Sequence, residues 1–88
     1  MKVEFRESFL KDLLSIKDKN LLAKVRETIE SLESTTVLND LQNIKKLRGG
    51  KRYYRLRIDE YRIGLIAETE SIALVRFLNR KDIYRYFP

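Results

Sequence analysis

Residues 47–66 read LRGGKRYYRLRIDEYRIGLI, and their alternation decides the architecture. Gly49-Gly50 punctuates the chain. From Tyr53 to Ile58 the residues then alternate, as a strand requires: Tyr54, Leu56 and Ile58 point to one face, while Tyr53, Arg55 and Arg57 point to the other. Asp59-Glu60 fits a two-residue hairpin turn, without the glycine that usually marks one. The next run, Tyr61 to Ala67, is more apolar and forms the returning strand. A hairpin carrying arginines on one face is the expected centre of the fold.

Working outward, the polar residues Glu68 to Ser71 turn the chain into a final strand, Ile72 to Leu78. Simple alternation there points Val75 and Phe77 at the helices and leaves Arg76 on the face of Arg55 and Arg57. On the N-terminal side, Lys2 to Phe5 alternates as a short first strand. Phe9, Leu10, Leu13, Leu14 and Ile16 recur at helical spacing, and Lys17 to Asn20 makes a polar break. Leu21, Leu22, Val25, Ile29 and Leu32 then form the stripe of a second helix, the two helices reading as an antiparallel pair. Residues 34–46 read as a connector with one helical turn, Leu38, Leu41 and Ile44 falling three apart. The order strand, two helices, three strands predicts an α+β fold: a single domain over residues 1–88, with an antiparallel sheet and both helices on one face. The face away from the helices is then the basic one.

Composition sets the outer bounds. With 88 residues, 43% of them hydrophobic and 36% charged, the chain reads as one small soluble domain. It has no apolar run near the roughly 18 residues of a membrane span, and the charged start MKVEFRE lacks the apolar stretch of a signal peptide. The cytoplasm is the expected location. The absence of cysteine and histidine removes disulfides, thiolate chemistry and the usual zinc ligand sets, so no metal or other cofactor is expected. The net charge of +6 is unevenly spread: residues 1–42 carry seven Lys/Arg against eight Asp/Glu, and residues 43–88 twelve against five. The second half therefore attracts polyanions through a sequence-independent electrostatic effect.

Three segments occur in order with a distinctive spacing: G-x-x-x-Y-R-x-R from Gly50 to Arg57, Y-R-I from Tyr61 to Ile63, and R-K-D-x-Y from Arg80 to Tyr84. With the element order and the length, this pattern resembles the RelE/ParE superfamily of bacterial and archaeal toxins, and its RelE-like branch in particular. The resemblance implies the toxin of a type II toxin–antitoxin pair, a ribosome-dependent endoribonuclease. Such toxins sit in the ribosomal A site and cleave messenger RNA by attack of a ribose 2′-hydroxyl on the adjacent phosphate. It also implies an antitoxin, usually encoded beside the toxin, that wraps it and blocks the site, and contact with operator DNA only through that complex. Carried over motif by motif, Arg55, Arg57, Arg62, Arg80 and Tyr84 are the implied catalytic residues. Lys45, Lys46, Arg48, Lys51, Arg52, Arg76 and Lys81 extend the set as RNA contacts.

The chemistry can be weighed on its own terms. Cleavage by an internal 2′-hydroxyl needs a base, an acid for the leaving 5′-oxygen, and cations beside a phosphate whose charge grows. Arginine suits the last role: its pKa above about 12 makes it a poor base, and its planar fork holds two phosphate oxygens at once. Proton transfer falls to tyrosine, lysine or a carboxylate. Tyr84 is the first candidate, since arginines around its hydroxyl would favour the phenolate, with Tyr86 as its rival. Many relatives have histidine where this chain has Asn79, immediately before the R-K-D segment. Other uses of the same residues stand beside these. Tyr53, Tyr54 and Tyr61 fit strand positions covering a small sheet better than base-stacking platforms, and Arg55 and Arg57 could pair with acidic neighbours. A ParE-like DNA gyrase inhibitor, or an inactive relative working only in an antitoxin and operator complex, is the alternative; clustered arginines beside a tyrosine favour the nuclease.

Overall fold

Asp18 closes the polar break and starts the longer helix: its carboxylate accepts the backbone N–H groups of Asn20 and Leu21 at 2.9 and 3.2 Å, the N-cap geometry that satisfies otherwise orphaned donors. In the computed structural model, which describes residues 1–48 and 52–88, the elements are β1 (Lys2–Phe5), α1 (Glu7–Leu14), α2 (Lys19–Ser34), a single 3-10 turn (Leu38–Asp40), β2 (Ile44–Lys46), β3 (Tyr53–Ile58), β4 (Tyr61–Ala67), β5 (Ser71–Asn79) and α3 (Ile83–Tyr86). The punctuation read at Gly49-Gly50 and the candidate contact Lys51 lie outside the described residues. Among the described residues, no helix is long and apolar enough to cross a membrane.

The sheet order is β1-β5-β4-β3-β2. The predicted hairpin is present with Ile58 opposite Tyr61, so Asp59 and Glu60 form the two-residue turn. Asp59 adopts φ 53°, a left-handed conformation that aspartate tolerates better than most non-glycine residues. Two expectations are corrected. The sheet is mixed rather than antiparallel, because β1 pairs in parallel with β5. It also has a fifth strand, β2, antiparallel to β3 with Ile44 opposite Leu56. Three residues with one apolar side chain are too short to display a period of two, so the sequence of β2 carries no strand signal of its own.

A single inner core gathers Phe9 of α1, Leu21, Val25 and Leu32 of α2, and Leu56, Ile58, Ile63, Leu65, Ile72, Leu74 and Phe77 of the sheet. Each of these large apolar side chains contributes about 1.5–3 kcal/mol when fully buried. Of the two helices, α1 packs mainly on β5, whereas α2 lies on β1 and β3, so each uses its stripe against the sheet.

The final strand departs from simple alternation. Gly64 is opposite Arg76 and Leu65 is opposite Leu74, which leaves Val75 as an extra residue in a β-bulge. The bulge lets Ile72, Leu74 and Phe77 all enter the core, whereas strict alternation would have placed Val75 there with Phe77. Beyond β1, the open edge of β5 is closed by α1: Ser8 Oγ donates to the Val75 carbonyl, and the Asp12 carboxylate accepts the Phe77 N–H at 2.9 Å. The same carboxylate receives Arg76 Nε at 2.8 Å and Nη2 at 3.1 Å.

Candidate functional site

The cross-strand register puts the arginines together. Arg57 lies opposite Arg62, and Arg55 lies opposite Gly64, which in turn lies opposite Arg76. All occupy the face away from α2, because their neighbours Leu56, Ile58 and Ile63 point into the core. Arg57 and Arg62 line two adjoining open depressions at the hairpin end of the sheet. The larger, of about 670 Å³, also includes Arg80 and Asn43, reaches Lys24 and Glu27 of α2, and has the carboxylates of Asp59 and Glu60 at its turn side. The smaller, of about 300 Å³, adds Arg55 and Lys45.

Among the described residues, Arg55, Arg57 and Arg62 form no ion pair with a carboxylate. Arg62 donates instead to the backbone carbonyls of Asp59 and Tyr61 at 3.0 and 2.9 Å, which aims its guanidinium across the turn. Its pKa is lowered from the ordinary arginine value, first by partial burial and then by repulsion from Arg55 and Arg57. The chain thus holds like charges together at a cost that a bound polyanion would relieve. Arg80 pairs with Glu60 at 2.9 Å, with both side chains more than half exposed. Exposed pairs are weak, so a phosphate can replace that carboxylate.

The C-terminal turn supplies the tyrosine. The Arg55 guanidinium carbon lies 4.7 Å from the centre of the Tyr84 ring, which leaves Tyr84 69% exposed at the rim of the cluster. Its rival Tyr86 stacks on Arg76 at 5.3 Å, beside the ion pair with Asp12 and away from Arg62. Asn79 caps the following turn, its Oδ1 accepting the Lys81 N–H at 3.0 Å.

The remaining basic residues divide. Lys45 is opposite Arg55 and lines the smaller depression, whereas Lys46, opposite Tyr54, falls on the other side of the sheet. Arg76 is committed to Asp12, and Arg52 pairs with Glu68 at 3.0 Å. Arg48 and Lys81 are exposed outside the cluster. Asn43 lines both depressions and its carbonyl accepts the Arg57 N–H at 2.9 Å. Neither Asn43 nor Lys24 carries a signal in the sequence, because both reach the site through tertiary packing.

Residues 3–84 match the family model described as ParE toxin of type II toxin-antitoxin system, parDE. The chain is 40% identical to Toxin RelE3 of Methanocaldococcus jannaschii over 89 residues, covering the whole of both. The chain belongs to the RelE/ParE toxin superfamily. Its fold matches a chain of the RelB-RelE antitoxin-toxin complex from Methanococcus jannaschii, with a TM-score of 0.81 and 35% identity over 97% of this chain and 99% of that one. A chain of the archaeal RelE-RelB complex from Pyrococcus horikoshii OT3, 23% identical, shares the fold at a TM-score of 0.74 over 90% and 93% of the two chains. For this RelE/ParE toxin, the five-stranded mixed sheet is therefore the family architecture, with the Y-R-x-R, Y-R-I and R-K-D-x-Y segments converging at one end of it.

Proposed function

We propose that this toxin is a metal-independent endoribonuclease that cleaves messenger RNA in the ribosomal A site by attack of a ribose 2′-hydroxyl on the adjacent phosphate. The observation that carries this reading is the set of three arginines, Arg55, Arg57 and Arg62, held together without carboxylate partners around one open depression. Three guanidinium groups at the scissile phosphate would stabilise the charge that develops on its oxygens, and Arg80 would join them by leaving Glu60. Tyr84, at the rim beside Arg55, is the group in this reading that assists proton transfer. Lys45 guides the RNA backbone into the cluster, with Lys51, Arg48, Arg52, Lys46 and Lys81 as outlying electrostatic contacts. A cognate antitoxin would block the same face, in keeping with the RelB-RelE complexes whose toxin-like chains share this fold.

The ParE description of the matching family model favours a second reading, gyrase inhibition, and one experiment separates the two. Primer extension on a defined messenger RNA is run with purified protein on programmed ribosomes and on the same RNA alone. Cuts only with ribosomes are expected. Cleavage of naked RNA would change the substrate, and no cutting by protein that arrests growth would transfer the activity to gyrase.

Two variants refine the site. Tyr84→Phe removes only a hydroxyl, and single-turnover cleavage should fall about 100-fold if that hydroxyl moves a proton; an unchanged rate removes Tyr84 from this role. Arg57→Ala should weaken RNA binding at all sequences and flatten the slope of log affinity against log salt by about 0.7, the contribution of one phosphate contact on single-stranded nucleic acid. An unaltered slope would place Arg57 away from the phosphates.

A further inference from the structure

The C-terminal turn rests on the arginine face through one cross-strand row. Arg55 on β3, Gly64 on β4 and Arg76 on β5 lie side by side, and each is covered by one aromatic ring of the last five residues. Tyr84 covers Arg55, Phe87 covers Gly64 and Tyr86 covers Arg76. Phe87 is the anchor of the three: it is 4% exposed while Tyr84 and Tyr86 are 69% and 52% exposed, and its ring meets Tyr53 edge-on with centroids 5.7 Å apart.

The four-residue helix α3 cannot hold its own position, since isolated helices this short do not form in water. Its attachment is through Ile83 and Phe87, both buried outside the inner core. The attachment needs the bare backbone of Gly64. A Cβ there would fall 2.5 Å from Cγ of Phe87 and 2.6 and 2.9 Å from its two Cδ atoms, closer than carbon atoms approach. The glycine is thus explained by the ring above it, and the ring by nothing in the arginine cluster itself.

We infer that Gly64 and Phe87 are positioning residues, a latch that seats the C-terminal turn so that Tyr84 lies over Arg55 at the edge of the arginine cluster. For cleavage the inference rests on the nuclease reading above, but the seating itself is tested without activity. The Hδ and Hε resonances of Arg55 are measured by NMR in the wild type, in Gly64→Ala and in Phe87→Leu, with Tyr84→Leu as the reference lacking the ring. Ring-current shifts in the wild type should vanish in both latch variants, whose Arg55 signals move to the Tyr84→Leu positions. Phe87→Leu adds nothing to β4, so it answers the question even where Gly64→Ala fails to fold.

The cleavage arm asks whether the latch acts through Tyr84. Gly64→Ala or Phe87→Leu alone should slow cleavage about 10- to 100-fold, the scale of loss from a misplacement near 1 Å. Added to Tyr84→Phe, either should cost less than about twofold more, because groups acting as one unit are not additive. Retained ring-current shifts in folded latch variants would overturn the seating, and full additivity with Tyr84→Phe would overturn the route through Tyr84. If the wild type cuts no RNA, the nuclease reading falls and the Arg55 resonances alone decide the latch.

Discussion

Arg62→Ala should lower ribosome-dependent cleavage about 100- to 1,000-fold, the loss expected when one preorganised donor to a developing oxyanion is removed, while leaving the fold intact. Arg62 lines both depressions, opposite Arg57 and beside Arg55. The sign of the stability effect follows from its pKa. Burial and the two neighbouring arginines hold that pKa below the ordinary value, so the folded state binds the proton less tightly than the unfolded chain. At neutral pH the charged group therefore opposes folding. Its hydrogen bonds to the Asp59 and Tyr61 carbonyls work the other way. The two effects oppose each other, and, as for substitutions outside the core, the variant should unfold within about 0.5 kcal/mol of the wild type. Quench-flow cleavage and a thermal melt on the same preparation check both halves. A variant that cleaves normally would remove Arg62 from the site, and one that loses its fold would make the charge structural.

Asp12→Ala should destabilise the protein by about 2–3 kcal/mol, or roughly 10–20 °C in Tm for a domain of this size. One carboxylate on α1 holds both the Arg76 guanidinium and the Phe77 N–H. The two side chains of the pair are only 12% and 25% exposed, so its removal strands a half-buried charge and an edge N–H together. The Arg76 pKa is raised, chiefly by the hydrogen bond to Asp12, as expected when the folded state favours the charged form. Changing both partners, Asp12→Leu with Arg76→Met, should recover most of the loss, since an apolar pair of similar volume leaves no charge unpaired. Differential scanning calorimetry of the two variants decides it. A single variant melting within about 2 °C of the wild type would mean that α1 is not tied to β5 through this contact.

Much of the fold was legible because it rests on local periodicity. The alternation of Tyr53 to Ile58 announced β3 and its two faces. The polar break at Lys17 to Asn20 announced the start of α2, where Asp18 caps it. Other features depend on contacts between distant segments. The pairing of β1 with β5 joins residues about 70 positions apart. Ile44 to Lys46 becomes a strand only because β3 offers an edge. Val75 leaves the alternation because the core takes Leu74 and Phe77 together. At the site, motif spacing pointed to Arg55, Arg57, Arg62, Arg80 and Tyr84, and these residues do lie close to one another. The same charge pattern also offered Arg76 and Lys46, which a motif cannot tell apart from the rest: Arg76 is drawn away by Asp12 of α1, and Lys46 by the pleat.

By itself, then, the sequence determined the types of the longer elements, the sign of the exposed face and the identity of the family, because these follow from side-chain periodicity, charge and motif order within short stretches. Only the tertiary structure decided which cations remain unpaired and which tyrosine stands beside them. Those depend on Asp12, Glu60 and Gly64, whose partners lie on other elements and are chosen by packing rather than by neighbours in the chain.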